Sequence, residues 1–263
     1  ALLKLRNEVY ALNRNTIEVF DNVGGELFPF ARTEGAQIQK GVVGTQGCCV
    51  FIQAIAFLGS GRNEAPGIYV GASATTQKAS TQEIDNLLLQ YTEAQLALVK
   101  LEARNDKNHQ HLYVHLPDRT VVYDATASQA LGEPVWFTLT TTIVGFAQYR
   151  ARNMVWAYDK WLVGDPQSSN VGYLVQDTGH HWGAQVRWEF GTLIVYNEGN
   201  GAIFNELELV SLTGSVAIGT NPQISTSYSL DGKAYSQQRF ISVGTIGSNK
   251  RLAWFQQGHM RNW

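Results

Sequence analysis

The chain has 263 residues, and 20 lysines and arginines against 22 aspartates and glutamates leave a net charge of −2 at pH 7. This balance lacks the positive field that drives binding to phosphates, which argues against a free-standing nucleic-acid-binding protein. Charged residues make up 16% of the sequence, against about 25% in an average soluble domain, which indicates a surface partly covered by other subunits.

The first elements of the chain are predicted to be strands. Short runs that alternate apolar with polar residues, rich in Val, Ile, Thr, Tyr and Phe, are typical of half-buried strands. Residues 7–22 predict two strands joined around residues 13–15. Residues 50–73 predict a strand, a glycine-rich turn and a second strand. The adjacent cysteines, Cys48 and Cys49, are interpreted as small apolar strand residues, because two neighbours cannot form a disulfide framework.

One short helix follows. Ser80 is predicted to cap its start, with Glu83 three residues later completing a capping box. The apolar positions of the helix then fall on one face, at the spacing i, i+3, i+4, i+7; they are Ile84, Leu87, Leu88 and Tyr91. Residues 92–97 predict a further helical turn.

The next segment, residues 110–128, predicts a hairpin with its turn at Pro117-Asp118-Arg119. Alternation along its first strand points four ring-bearing side chains to one face; they are His109, His111, Tyr113 and His115. Two histidines spaced in this way can share a metal ion, but a usable site needs a third ligand. No third ligand is evident near them in the sequence, so we predict no metal site and interpret this face as polar or covered by a neighbour.

A weak repeat relates the first hairpin, residues 7–22, to residues 110–125 at an offset of 103 residues. The matched pairs are Val9 with Leu112, Tyr10 with Tyr113, Val19 with Val122, Phe20 with Tyr123 and Asp21 with Asp124. Residues 153–174 predict a further hairpin with a loop at 164–170. The hairpins recur at intervals of about 40 to 60 residues, near those of four-stranded propeller blades. Chance similarity of hairpins remains the alternative.

After about residue 176 the pattern changes to longer antiparallel strands, in 184–199, 202–214, 223–244 and 250–260. Asp231-Gly232 between two alternating runs is a strong hairpin signal. The predicted fold class is therefore all-β, a partial β-propeller with one short helix insertion over residues 1–175, followed by a β-sandwich-like module over 176–263. No run reaches the roughly 18 apolar residues of a membrane span, and we find no signal peptide.

The remaining candidate sites have structural interpretations. His180 and His181 have no nucleophile nearby. Residues 229–235 nearly match the Asp-box of sialidase-type propellers, which is itself structural, and Gly59-Ser60-Gly61 precedes no helix that could cradle a phosphate. No hydrolase, P-loop or zinc-protease motif is present. We therefore predict no enzyme, and no catalytic, cofactor-binding or metal residues.

The combined motifs resemble the packaged-DNA stabilization protein, or tail hub, of short-tailed bacteriophages of the Salmonella and Shigella type. The resemblance spans nearly the whole chain and is most specific in 69–128. It is carried by Ser80-Thr81 with Ile84, Tyr91-Thr92, His115-Leu116-Pro117, Val122-Tyr123-Asp124-Ala125, residues 13–25, Gln39-Lys40-Gly41, and the segments 229–238 and 249–262. It implies a β-propeller with added β modules, and it also fits the abrupt ends of the sequence, which lead us to expect a fragment lacking an N-terminal part.

The resemblance further implies that several copies, usually six, form a ring below the portal and its adaptor. This ring would extend the DNA channel, receive the tail needle and offer docking surface to tailspikes. The protein would be made in the host bacterial cytoplasm and reside in the virion tail, with no membrane contact, no cofactor and no catalytic residues. A near-neutral chain suits a conduit through which DNA passes without tight binding. The alternative is a propeller that binds glycans or hydrolyses glycosides; a cellular propeller of the WD or kelch type is disfavoured because its signatures are absent.

Overall fold

Antiparallel β-sheet dominates the structure, as the alternating patterns predict. The computed structural model describes residues 1–176, 178–192 and 200–260. The chain divides into two compact units, Ala1–Glu189 and Phe190–Trp263. Among the described residues, none of the helices has the length and apolar character needed to span a lipid bilayer.

The first sheet is a meander of four antiparallel strands, in the order β1-β2-β3-β4. Its strands are β1 (Leu2–Leu5), β2 (Glu8–Leu12), β3 (Ile17–Asn22) and β4 (Phe30–Arg32). Strands β2 and β3 form the hairpin predicted over residues 7–22, with Leu12 paired to Ile17 across the turn.

The second sheet has five strands, and β5 and β6 pair with different halves of β7. Its strands are β5 (Gly41–Val42), β6 (Cys48–Phe51), β7 (Ala54–Ser60), β8 (Gly67–Ala72) and β9 (Thr75–Lys78). The hairpin predicted over 50–73 is confirmed as β7 and β8, and both cysteines lie in β6. Gly59 allows the close approach of β5, because a Cβ there would lie 1.6 Å from the carbonyl oxygen of Gly41.

Two short helices, α1 (Gln82–Leu88) and α2 (Glu93–Ala97), follow the second sheet. The predicted apolar face of α1 is confirmed by the burial of Ile84 and Leu88, and α2 buries Leu96. These side chains pack into the core between the second and third sheets.

The predicted N-cap of α1 is wrong by one residue. Thr81 caps the helix and accepts a hydrogen bond from the Ile84 amide at 3.5 Å. The Ser80 hydroxyl is engaged elsewhere, since it accepts from the Ile68 amide and donates to Asp85. A hydroxyl drawn to the neighbouring strand is not available to the helix. The capping box of this region belongs to α2.

The third sheet is again a four-stranded meander, and a third helix lies between its last two strands. Its elements are β10 (Lys100–Asp106), β11 (His109–His115), β12 (Thr120–Asp124), α3 (Ala125–Leu131) and β13 (Val135–Leu139). The prediction of one helix insertion missed α3. Asp124 caps its start and Gly132, with φ of 77°, ends it, although the helix has no apolar stripe to signal it.

The sequence repeat corresponds to an equivalence between the first and third sheets. Strands β2 and β11 are the second strands of their meanders, and β3 and β12 are the third. The cross-strand pairs also correspond at the predicted offset: Tyr10 lies opposite Val19, and Tyr113 lies opposite Val122. The matched positions therefore describe repeated sheets and not merely similar hairpins.

The fourth sheet has three described strands, β14 (Arg152–Ala157), β15 (Lys160–Gly164) and β16 (Val171–Tyr173). The loop predicted at 164–170 joins β15 to β16. The tight turn between β14 and β15 was not predicted; it uses positive φ angles at Tyr158 and Asp159. A two-stranded ribbon follows, β17 (His180–His181) with β18 (Ala184–Gln185).

Successive sheets of the first unit share buried cores. The first and second sheets enclose Tyr10, Ile17, Ile55 and Phe57, among others. The second and third sheets, with α1 and α2, enclose the largest cluster. The third sheet then contacts the fourth through Tyr113, Val122, Tyr149 and Val163, among others. This serial packing of small sheets is the arrangement expected of propeller blades.

The second unit is built from two described strand pairs. Strand β19 (Ala202–Leu209) pairs with β22 (Leu252–Met260), and β20 (Gln223–Thr226) pairs with β21 (Arg239–Ser242). The loop between β20 and β21 reverses around Gly232, as predicted. Of the strand predicted over 184–199, only β18 is present, and residues 193–199 lie outside the described residues.

Candidate functional site: the histidine face

The strongest sequence candidates lie on one face of the third sheet, here called the histidine face, formed by His109, His111, Tyr113 and His115 of β11. The prediction that these side chains share one face is confirmed by their consecutive ring contacts. The aliphatic residues that alternate with them are fully buried in the core shared with the second sheet; they are Leu112 and Val114 of β11 and Leu116 directly after it.

Burial of the histidine side chains increases steadily along the strand. The side chain of His109 is 50% exposed, that of His111 is 14% exposed, and that of His115 is 0% exposed. The face therefore has an open end at His109 and a closed end at His115, and the two ends differ in the chemistry available to them.

At the closed end His115 is held by two hydrogen bonds. Its Nε2 lies 2.9 Å from Glu102 Oε2, and its Nδ1 lies 2.9 Å from Thr120 Oγ1. An ionised carboxylate only accepts, so Nε2 carries the proton and donates it, while the Thr120 hydroxyl donates to Nδ1. Burial lowers the pKa of His115, which keeps the ring neutral.

Glu102 is the partner that connects the closed end to the fourth sheet. Its Oε2 accepts from the backbone amide of Asn153 at 3.0 Å, and its Oε1 pairs with Lys100 Nζ at 2.9 Å. Burial by itself would raise the pKa of Glu102, but hydrogen bonds from His115 and Lys100 outweigh it, so the pKa is lowered. The carboxylate thus stays ionised and its hydrogen bonds serve the scaffold.

The middle of the face is occupied by Tyr113 and Arg104. Arg104 donates to the Tyr113 hydroxyl at 3.0 Å, forms an ion pair with Asp106 and lies 5.9 Å from the centre of the Trp161 ring. Burial raises the pKa of Tyr113. This part of the face joins the third sheet to β15 of the fourth.

The closed end of the histidine face is covered by Tyr149, from the segment between β13 and β14 of the same chain. The ring of Tyr149 stacks on His115 with a centroid distance of 6.4 Å and an interplanar angle of 5°. Tyr149 also meets His181 edge-on at 5.3 Å. His181 is thereby brought to the same cluster, and its Nδ1 lies 3.1 Å from Thr141 Oγ1, whereas His180 is exposed.

At the open end the structure supplies the donor that was not recognised in the sequence. Asp124 Oδ2 lies 2.6 Å from His109 Nδ1 and 3.4 Å from His111 Nε2. Burial lowers the pKa of His111, although Asp124 opposes this effect. The signal was available: a hairpin with its turn at Pro117-Asp118-Arg119 places Asp124 directly opposite His111.

The Asp-box-like loop in the second unit is a hydrogen-bonded turn. Asp231 Oδ1 accepts from the backbone amides of Lys233 and Ala234, both at 2.8 Å, and these bonds lower the pKa of Asp231. Ser229 Oγ accepts from the Gly232 amide and donates to the Ala234 carbonyl. The carboxylate thus organises the loop, which agrees with the structural interpretation of this motif.

The glycine-rich segment at 59–61 also has a structural position. Gly59 and Ser60 end β7, and the amide of Gly61 donates to Glu64 Oε2 at 3.1 Å. The chain then enters β8 and not a helix. The segment therefore closes a hairpin, as expected for a turn.

Comparisons with known proteins match both parts of the chain. A family model described as bacteriophage P22 Gp10, beta-propeller, matches residues 1–179, and one described as bacteriophage P22 Gp10, beta-sandwich, matches residues 187–263. The tail hub protein gp10 of Salmonella phage P22 is 26% identical, over 97% of this chain and 54% of that protein. The chain therefore spans about half the length of this curated relative. These matches confirm the predicted fold class, a β-propeller region followed by a β-sandwich region.

Proposed function

Since this chain belongs to the bacteriophage P22 Gp10 family, we propose that it is a structural component of a phage tail. The observation that carries this proposal is the match of both family domains, in the same order, over nearly the whole chain. The similarity to the tail hub protein of phage P22 supports the same assignment. We place the protein in the tail of the virion, after synthesis in the cytoplasm of the host bacterium.

We propose further that copies of the protein form a ring, with six copies as the expected number, that continues the DNA channel below the portal adaptor. The ring would close the channel after packaging, receive the tail needle and attach tailspikes. The charge of the chain supports this role, because a net charge of −2 provides no positive field to retain phosphates. DNA would then be retained by a physical closure and would pass freely once the closure opens.

The fourth sheet offers a surface suited to contacts between subunits. Several of its large apolar side chains are exposed in the isolated chain; they are Val155, Trp156, Tyr158, Val171 and Tyr173. Exposed aromatic residues of this kind are enriched at protein–protein interfaces. We therefore propose this sheet as part of the contact between neighbouring copies or with another tail protein.

The histidine face supports a scaffold role and not a catalytic one. At its closed end His115 is hydrogen-bonded to both Glu102 and Thr120, and its side chain has no exposed area. A buried polar network whose members are satisfied fixes the relative positions of the elements it joins. We propose that this network holds two successive sheets in register within the assembled tail.

The proposal is tested by complementation of a phage whose gene for this protein carries a nonsense mutation. Without the protein, particles should package DNA and then lose it, which is measured as the loss of nuclease-protected genome per capsid. The wild-type protein supplied in trans should restore retention and infectivity. Full retention of DNA and normal tails without the protein would contradict the proposal, as would turnover of a glycan by the purified protein.

Variants of the fourth sheet test, in the same complementation assay, whether this surface forms the proposed contact. Trp156→Ser should leave folding unchanged but weaken assembly by roughly tenfold or more, as truncation of an interfacial tryptophan commonly does. The matched control is Leu98→Ser, an exposed apolar residue at the end of α2, which should complement as well as the wild type. Equal complementation by both variants would remove the fourth sheet from the proposed contact.

A further inference from the structure

Three side chains of the types that ligate metal ions meet at the open end of the histidine face. His109 and His111 alternate on β11, and Asp124 ends β12 directly opposite His111. One ligand atom from each of these residues lies within 4.8 Å of the other two. This is the spacing of groups that converge on a single ion, and it arises from the strand register and not from mobile loops.

The distances agree with shared coordination. An ion bound tetrahedrally at about 2.0–2.2 Å from each donor separates its ligand atoms by ~3.4 Å. His111 Nε2 and Asp124 Oδ2 already lie 3.4 Å apart. His109 Nδ1 is closer, at 2.6 Å from the same oxygen. The His109 side chain is half-exposed, so a small rotation of its ring would open the space for an ion.

The Asp124 carboxylate is oriented by the start of α3. Its Oδ1 accepts from the Ala127 amide at 3.0 Å, which leaves Oδ2 directed at the two histidines. Hydrogen bonds from outside the ligand set that orient a ligand in this way are a regular part of metal sites. The N-cap thus serves both the helix and the arrangement of donors.

His111 is a buried polar group whose hydrogen-bonding capacity is not used. Its Nδ1 is buried without a hydrogen-bond partner among the described residues, and its Nε2 has only the 3.4 Å contact with Asp124. Burying such a nitrogen without a partner costs free energy. A cation bound between His111 and Asp124 would replace the long 3.4 Å contact of Nε2 with a direct ligand bond, while Nδ1 would stay without a partner among the described residues.

The charges and donors around the cluster indicate which ion it would take. Two imidazole nitrogens and one carboxylate favour zinc and similar first-row divalent ions over calcium or magnesium, which prefer oxygen. Arg104 lies opposite His111 on β10, but its charge is paired with Asp106. The exposed side of His109 leaves a position for water as the fourth ligand.

We propose that His109, His111 and Asp124 bind one divalent transition-metal ion of the zinc type. The ion would tie β11 to β12 at the point where α3 begins, at the end of the third sheet that lacks the His115 network. The site would therefore be structural, and it is independent of the proposed function of the protein.

The test is isothermal titration calorimetry of the untagged full chain with Zn²⁺, supported by the visible absorption of the Co²⁺ form. We expect one ion per chain and a higher melting temperature in its presence, because a ligand that binds only the folded state stabilises it. His109→Gln and Asp124→Asn should each weaken binding at least tenfold, since even outer partners of metal ligands contribute about 10–100-fold.

Asp124→Asn is chosen because an asparagine also caps helices, so that α3 is retained. His109→Gln alters a half-exposed residue and should fold as the wild type does. His180→Gln is the matched control, an exposed histidine of the same unit, and should leave the affinity unchanged. Absence of saturable one-to-one binding would overturn the proposal, and so would equal affinity in the wild type and both ligand variants.

Discussion

Glu102 is the residue whose removal tests the closed end of the histidine face. Glu102→Ala deletes the acceptor for His115 Nε2, whose side chain has no exposed area, and removes the ion pair with Lys100, which keeps its hydrogen bond to Asn153 Oδ1. A buried donor left without an acceptor costs about 1–3 kcal/mol, and the lost hydrogen bond is one to a charged group. The lost hydrogen bond from the Asn153 amide adds little to this cost, because Asn153 is exposed and its amide can donate to water instead.

We therefore expect Glu102→Ala to lower the free energy of unfolding of the first unit by about 2–3 kcal/mol. Glu102→Gln keeps a neutral acceptor and should cost only about 1 kcal/mol. Glu34→Ala, at an exposed loop position, is the control and should stay within about 0.5 kcal/mol of the wild type.

Urea unfolding followed by tryptophan fluorescence is a suitable assay, because five of the seven tryptophans lie in the first unit. In a thermal scan, the alanine variant should melt roughly 5–10 °C lower, at about 2–4 °C per kcal/mol for a unit of this size. A change below about 0.5 kcal/mol for Glu102→Ala would refute the reasoning, because such a value is typical of surface positions. Equal losses for alanine and glutamine would show that the charge, and not the acceptor, is what matters.

Three further predictions concern pH, packing and DNA. Burial lowers the pKa of His115 in the folded chain. In the unfolded chain the ring has the ordinary histidine pKa of about 6.5, so below that pH it binds a proton more readily than the folded chain does. The free energy of unfolding should thus be highest well above pH ~6.5 and fall as the pH drops through ~6.5, with a smaller fall in His115→Gln; equal pH dependence in the two proteins would contradict this. In the same urea assay, Gly59→Ala should lower the free energy of unfolding by ~3 kcal/mol or more, because the new Cβ would lie 1.6 Å from the carbonyl oxygen of Gly41. Gly164→Ala is the control: its Cβ would lie 3.6 Å from the carbonyl oxygen of Arg152, and the change should be less than ~1 kcal/mol. The purified chain should not shift duplex DNA in a gel at physiological salt, and tight binding that weakens steeply with salt would contradict the conduit role.

Local features of the sequence predicted much of the first unit. Alternation placed β2, β3, β11 and β12, and proline-containing and asparagine-containing turns separated them. The offset between the two hairpins preserved even the cross-strand partners, because equivalent sheets need the same side chains to face the same neighbours. The domain boundary after residue 175 stays a prediction.

The features that could not be predicted depend on contacts between distant segments. Nothing near His115 in the sequence indicates that Tyr149 covers it, because Tyr149 lies in the segment between β13 and β14, more than 30 residues along the chain. Ser80 has the residue type and position of a helix cap, but its hydroxyl accepts a hydrogen bond from the Ile68 amide of β8, a contact that the local sequence does not indicate. Helix α3 was missed because it begins at a strong cap, Asp124, but lacks an apolar stripe.

The candidate metal cluster lies between these two cases. The histidine spacing was visible in the sequence, and the turn at Pro117-Asp118-Arg119 sets the register that brings Asp124 opposite His111. Counting outward from the turn would have supplied the third ligand. The burial of His111 could not be obtained in this way, since it depends on the packing of the sheet.

Electron cryomicroscopy of the phage particle that carries this protein is the most direct test of the proposed role. We expect a closed ring of copies around the DNA channel between the portal adaptor and the tail needle, with neighbouring copies in contact through the fourth sheet. Absence of the protein from the tail, or single copies located away from the channel, would contradict the account.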